Sequence, residues 1–338
     1  MMIKPGRFKL PGPAFLNLGG RIPFARAEAA GSMDGKTLPK WKKTKRLAGL
    51  KESAIRAFFF TNGMLAVAVL AGIFCILLCT AVPAFKEIDI REFLTSTRWD
   101  PTSPEKAEYG ILSMIAGTLL VTAGAMAIAV PIGLAVAAYL SDVAHWRVRE
   151  IVKPVIEILA GIPSVVVGFL GIVLFGPLIA RIFHAGHGLT ALNGSFLLAV
   201  MALPTIISIS EDSLSAVPHA YGEASLALGA SKWQTLARVR MPAALSGIIA
   251  SFMLGMGRAI GETMTVLMAT GNARSFPRGL LSPVRTMTAD IAIELGEVPY
   301  FTTHYYALFA VGLVLFLMTF AVNIAADVIL NRYQERER

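Results

Sequence analysis

The feature that most constrains this chain is a succession of apolar runs of membrane-crossing length. A helix needs about 20 apolar residues to span the hydrocarbon core of a bilayer. Six segments come close to or exceed that length: about 58–83, 110–141, 154–180, 193–210, 243–270 and 305–326. Composition points the same way. Charged residues are 16% of the 338 and hydrophobic residues 55%, with mean hydropathy +0.64, whereas a soluble domain carries about 25% charged residues. An all-α polytopic membrane protein of about six helices is therefore expected. The second run is too long for one straight span, so Pro131 is expected to kink it or one end to project into water. The fourth is short and carries Pro204 near its end.

The net charge of +9 is concentrated at the N-terminus, where residues 1–57 hold thirteen Lys/Arg and three acids. Such a cluster beside a span reads as a cytoplasmic anchor region, not as a nucleic-acid site; Lys40 to Arg46 (KWKKTKR) reads as a solvated positive-inside signal, with which contact with acidic lipid head groups is compatible. Residues 1–57 are expected to be a basic, poorly ordered extension. Residues 58–110 would be the first span and its outer loop, 111–332 the transmembrane domain, and 333–338 a tail. With the N-terminus inside, six spans return the C-terminus to the cytoplasm. The first apolar run begins near Phe58, too late for a signal peptide, so it is expected to remain as a membrane helix.

Several function classes find no support in the residues. Cys75 and Cys79 share no segment with a His or an acid, so they read as small core residues. His184 and His187 have no acidic neighbours, and no metal site is expected. There is no H-E-x-x-H, no G-x-S-x-G and no pair of intramembrane aspartates, so no catalytic residue is assigned. Glu157 is expected to pair with Lys153 at i, i+4. Arg274, Arg278 and Arg285 form a basic group in segment 271–304, balanced by Asp290, Glu294 and Glu297.

One apolar run is interrupted by charge. Within Ser246–Thr270, Arg258 and Glu262 are the only ionisable residues, in the stretch GRAIGET. Their i, i+4 spacing would place both on one helix face. An ionised group at mid-bilayer costs roughly 2.5–3.5 kcal/mol on insertion scales, so it pairs or lines a water-filled path. Arginine offers a permanently charged fork of donors that suits an oxyanion. Arg258, Glu262 and the adjacent Thr263 are thus the candidate path residues, against the alternative that the pair only fixes the helix. Gly257 and Gly261 form a G-x-x-x-G pair that would let another helix approach closely. Gly117 with Gly124, and Gly168 with Gly171, are candidates for the same role.

The segment 211–242 (EDSLSAVPHAYGEASLALGASKWQTLARVRMP) is too polar to span and too apolar to be simply solvated. Two helical pieces, about 219–228 and 231–240, are expected to flank Gly229, which can adopt positive φ. Ser231 is the expected N-cap of the second, and Pro242 suits the first turn of the following membrane helix. Leu226, Leu228, Trp233, Leu236 and Val239 need a surface, as in an element that docks a soluble partner.

This segment resembles the E-A-A, three residues, G, nine residues, I-x-L-P pattern of ABC-transporter permeases. Here it reads Glu223-Ala224-Ser225, Gly229, Val239-x-Met241-Pro242; Ser225, Val239 and Met241 are conservative departures, and the spacing is kept. The resemblance implies a coupling loop, with Glu223, Ala224, Ser225, Gly229 and Pro242 contacting an ATPase. No G-x-x-x-x-G-K-[ST] run occurs in the chain, so it is expected to be no enzyme and to bind no cofactor, with ATP used by a separate subunit. Gly117–Asp142, Ile156–Gly171, Ala202–Pro218 and Gly257–Asn272 resemble phosphate importer permeases, and Thr288–Val298 resembles their C type more than their A type, the resemblance covering roughly residues 58–332. That implies an inner-membrane importer assembled from this chain, a second permease, two ATP-binding cassette subunits and an external phosphate-binding protein. A permease for another oxyanion fits the charge pair equally well. An ion-gradient-driven transporter would also explain the pair, but not the 211–242 pattern.

Overall fold

The structure, a computed structural model, describes residues 41–104 and 106–334. Expectations for residues 1–40 and 335–338 lie outside the described residues. The chain divides into two compact units, Met1–Gly63 and Met64–Arg338. Helix α1 runs Trp41–Ala81, so residues 41–57, expected to be poorly ordered, are helical. A short helix α2 (Ile90–Thr95) follows, its N-terminus capped by the Asp89 carboxylate, which accepts from Arg91 N–H at 2.6 Å. Strands β1 (Trp99–Asp100) and β2 (Glu108–Tyr109) pair antiparallel. Then come α3 (Leu112–Ala138), α4 (Trp146–Ala160), α5 (Ser164–Leu170), α6 (Gly176–Phe183) and α7 (Ala191–Ser215). After them lie α8 (His219–Ala227), α9 (Lys232–Thr235), α10 (Met241–Ala243), α11 (Leu245–Gly261), α12 (Met264–Ala269), α13 (Met287–Glu294) and α14 (Thr303–Gln334).

Five helices among the described residues are long and apolar enough to cross a membrane: Glu52–Lys86, Leu112–Val143, Ser164–Phe183, Ala191–Ser215 and Thr303–Val328. A sixth crossing arises only by joining Lys232–Ala243 to Leu245–Gly261 across a 71° bend. The second run is one helix that carries Pro131 inside it and finishes in a π-helical turn, Tyr139–Val143. The other spans differ from expectation in three places. The third begins at Ser164, not 154, because residues 146–160 form the separate amphipathic helix α4, which ends before Pro163. The fourth continues to Ser215 and takes Glu211 with it. The fifth stops at Gly261, and Pro242 lies in α10, before the bend, not in the membrane helix.

Helix α7 is the centre of the bundle: over half of its most apolar window is buried (56%), against 6% for the first span. Small residues allow α3 and α7 to approach closely. A Cβ on Gly124 would sit 2.5 Å from Ser195 Oγ, and one on Gly133 2.6 Å from Ile206 Cγ2. Without a hydrophobic driving force in lipid, such close packing is what holds helices together. Gly117, Gly168 and Gly171 have comparably close neighbours. Asn193, fully buried on α7, donates to the carbonyls of Gly171 and Ala269 at 2.9 and 3.3 Å, satisfying backbone groups freed where those helices are irregular. Cys75 and Cys79 are exposed on the flank of α1, not in the core, because this helix buries so little of itself.

Candidate translocation and coupling sites

The stretch GRAIGET does not form one helix face. Helix α11 ends at Gly261, and Glu262 turns to extended backbone (φ −69°, ψ 131°) before α12 begins. Glycine weakens a helix, and Gly261 has no neighbour within 4 Å of a built Cβ to hold the helix there. The expected Arg258–Glu262 pair is therefore absent. The Glu262 carboxylate instead accepts from Thr265 N–H at 3.3 Å, and its carbonyl accepts from Thr288 Oγ1 at 2.9 Å. Thr265 Oγ1 donates to Ser164 O at 3.1 Å, tying this break to the break before α5. Arg258 is exposed, with no hydrogen bond or ion pair to a described residue. Thr263 faces a cavity of about 670 Å³ with Gly261, Thr288, Ile291, Tyr305 and Phe309 on its wall. Inside this chain Gly257 does not bring two helices close: a Cβ there would meet only Asn323 Oδ1, at 3.9 Å.

The segment after α7 is a helical hairpin. Gly229 turns it at φ +85°. Ser231 caps α9 in a reciprocal box: its hydroxyl accepts from Gln234 N–H, and the Gln234 side chain accepts from Ser231 N–H. Ser225, where the family pattern has alanine, uses its hydroxyl to bond Thr235 Oγ1 at 3.0 Å, joining α8 to α9. Glu223 and Ala224 are exposed. Leu228 is 90% and Trp233 71% exposed, whereas Leu236 is buried at the base. The hairpin is thus anchored at one end and presents an apolar tip at the other.

Two charge clusters are present, one between α4 and α7 and one among residues whose charges balance in the sequence. At the end of α7 the Glu211 side chain, 1% exposed, pairs with Arg149 and Lys153 of α4, and Ser215 Oγ donates to it at 3.0 Å. Lys153 also bonds Asp212 at 2.7 Å, so the expected Glu157–Lys153 pair is replaced by partners 58 and 59 residues away. Those hydrogen bonds, to Asp212 first and then Glu211, hold the Lys153 ammonium above its ordinary value.

The second cluster lies where α3 and α14 begin. Arg285 Nη1 bridges Asp290 and Glu294 at 2.9 Å each. Glu294 also accepts from Arg274, Trp99 Nε1 and His304 Nε2. The acids that balance Arg274 and Arg285 therefore do so inside the protein, not in a solvated loop. Burial pushes the Asp290 carboxyl up to about 7, with Glu294 adding repulsion and Arg285 opposing. Burial also raises Glu294, but its His304 and Trp99 hydrogen bonds and the Arg274 charge outweigh that and leave it near 2. A carboxyl raised in the folded state stabilises fully below its unfolded value of 3.8 and loses that contribution as pH rises towards about 7. Asp290→Asn is therefore expected to gain stability relative to wild type between pH 5 and pH 7.5, by at most about 1.4 kcal/mol per pH unit. Thermal unfolding in lipid nanodiscs at both pH values checks this; a difference independent of pH would refute it.

Residues 129–335 match the family model described as binding-protein-dependent transport system inner membrane component. The chain belongs to this family of transport permeases. It is 41% identical over 229 residues to a probable ABC transporter permease, YqgH, of Bacillus subtilis, covering 68% of this chain and 74% of that protein. It is 34% identical over 265 residues to the phosphate transport system permease protein PstC of Mesorhizobium japonicum, covering 72% and 79%. A bacterial ABC transporter involved in alginate import shares the fold with TM-score 0.55 at 14% identity, over 86% of this permease and 98% of that chain.

Proposed function

We infer that this permease is the membrane-spanning subunit of an ATP-driven importer that moves inorganic phosphate across the cytoplasmic membrane by alternating access. The observation that carries the ATP-driven reading is the α8–α9 hairpin, with Leu228 and Trp233 exposed at its tip. A solvated loop would not expose such side chains; a groove on an ATPase subunit would cover them. Glu223, Ala224, Ser225, Gly229 and Pro242 belong to this coupling element. ATP is used by the partner subunit, and this chain binds no cofactor of its own.

Phosphate is the proposed substrate because several relatives at 32–35% identity carry the name phosphate transport system permease protein. Arg258, Glu262 and Thr263 at the helix break are the proposed path residues, and Gly257 and Gly261 the proposed packing face towards a second, similar permease. Two ATP-binding cassette subunits and an external phosphate-binding protein complete the assembly. The basic N-terminal segment favours cytoplasmic termini, which puts the hairpin inside and the Arg285–Glu294 cluster outside.

Reconstitution with these partners in proteoliposomes tests the proposal. Labelled phosphate is expected to accumulate only with ATP, and a tenfold excess of sulfate should not compete. Equal competition by sulfate would replace phosphate with oxyanions in general. Uptake driven by an ion gradient without ATP would overturn the importer class.

A further inference from the structure

The backbone joins the hairpin to the bundle at both ends, to α7 through residues 216–218 and through α10 into α11 across the 71° bend. A further link is one side chain. The Arg240 guanidinium pairs with the Asp142 carboxylate, the two side chains being 14% and 17% exposed. Its Nη2 also donates to Leu214 O, at the last turn of α7, over 2.9 Å. Arg240 thus connects the coupling element to the ends of α3 and α7, while Leu236 packs beside it against Leu214, Ala138 and Ile248.

Both members of the ion pair stand on irregular helix. Arg240 closes the π-helical turn Leu236–Arg240, and Asp142 lies in the π-helical turn Tyr139–Val143. Such turns are rare inside helices and recur at functional positions, because the extra residue can be taken up or passed along the helix. The second Asp142 oxygen and the hydroxyl of Ser141 are buried with no hydrogen-bond partner among the described residues.

We propose that the Arg240–Asp142 pair is the joint through which movement of the hairpin is passed to α3, making both of them positioning residues for transport. This rests on the ATP-driven reading above. The tip moves with the partner, the buried base follows, and the ion pair pulls the end of α3 with it while α10 moves α11. Without the pair the charged link to α3 is lost while the backbone routes to α7 and α11 and the packing of Leu236 remain, and nucleotide hydrolysis runs on with less of its movement reaching α3.

The test is the ratio of phosphate transported to ATP hydrolysed by the reconstituted complex. Arg240→Gln and Asp142→Asn are each expected to co-purify with the ATPase, to hydrolyse ATP within twofold of wild type, and to lower the ratio at least tenfold. The double variant should be no worse than either single, since both remove one interaction. Arg240→Lys, which keeps the charge, should recover most of the ratio. A fall in hydrolysis and transport in equal proportion, or additive losses in the double variant, overturns the joint. If one neutral variant fails to assemble, the other is read alone, and an unchanged ratio in it refutes the proposal; if both fail, Arg240→Asp is compared with the exchanged pair Arg240→Asp with Asp142→Arg, and a ratio no higher in the exchanged pair refutes it. A wild-type complex that transports without ATP would instead refute the importer reading itself.

Discussion

Arg258→Gln is expected to reduce ATP-driven phosphate uptake at least a hundredfold while the complex still assembles. The two halves of that expectation come from one observation. Arg258 is exposed and makes no ion pair or hydrogen bond with a described residue. Its removal leaves no buried partner uncompensated, so the fold should not suffer. Yet a permanent charge within a membrane segment is costly, by roughly 2.5–3.5 kcal/mol on insertion scales, unless it meets water, a counter-charge or substrate. With the Glu262 carboxylate bonded to Thr265 N–H, no counter-charge pairs with Arg258 among the described residues, and water or a passing anion is the partner that remains. Loss of a bidentate charged contact to phosphate accounts for about 3 kcal/mol, which is the hundredfold. Initial uptake rates into proteoliposomes, with ATPase co-purification as the assembly control, measure both halves. Wild-type uptake by the variant would remove Arg258 from the path.

What sequence reasoning could see divides by range. The spans were legible because twenty apolar residues have few other uses, and the hairpin because its signals are local: Gly229 at the turn, Ser231 as cap and Gln234 three residues on. The misplaced boundaries have a shared cause. Residues 154–160 looked like membrane helix because, Glu157 apart, the apolar side chains at the end of α4 lead into those of α5, and only the turn at Gly161–Pro163 separates them. Glu211 looked like loop because a carboxylate ends an apolar run, unless distant cations reach it, and Arg149 and Lys153 are some sixty residues away. In GRAIGET the i, i+4 spacing was real, but it presumes a helix that Gly261 does not continue. The Asp142–Arg240 joint is likewise non-local, and in the Asp290–Glu294 cluster the charges were visible nearby while the Trp99 contact, 195 residues away, was not.

The double substitution Arg149→Ala with Lys153→Ala is the other large effect, and it falls on stability. Both cations of this cluster reach water, at 39% and 31% exposure, while Glu211 at 1% does not. Removing the carboxylate would leave two cations free to turn outwards, and Lys153 would keep Asp212. Removing the cations strands a buried charge, with Ser215 as its remaining donor among the described residues. Breaking a buried pair in that sense costs about 3–5 kcal/mol. Glu211→Gln loses less, about 1–2 kcal/mol, because a side-chain oxygen still accepts from Ser215. The asymmetry is the sharper part of the expectation. Adding Glu211→Gln to the double variant should restore stability, although it removes one more native group, because the uncompensated charge is gone. Thermal unfolding in nanodiscs, followed by loss of helical circular dichroism, should show the double variant lower in Tm by roughly 10 °C and the triple variant higher than the double. If the triple variant is the least stable of the three, the cluster acts by packing α4 against α7, and charge compensation is not what holds the two helices together.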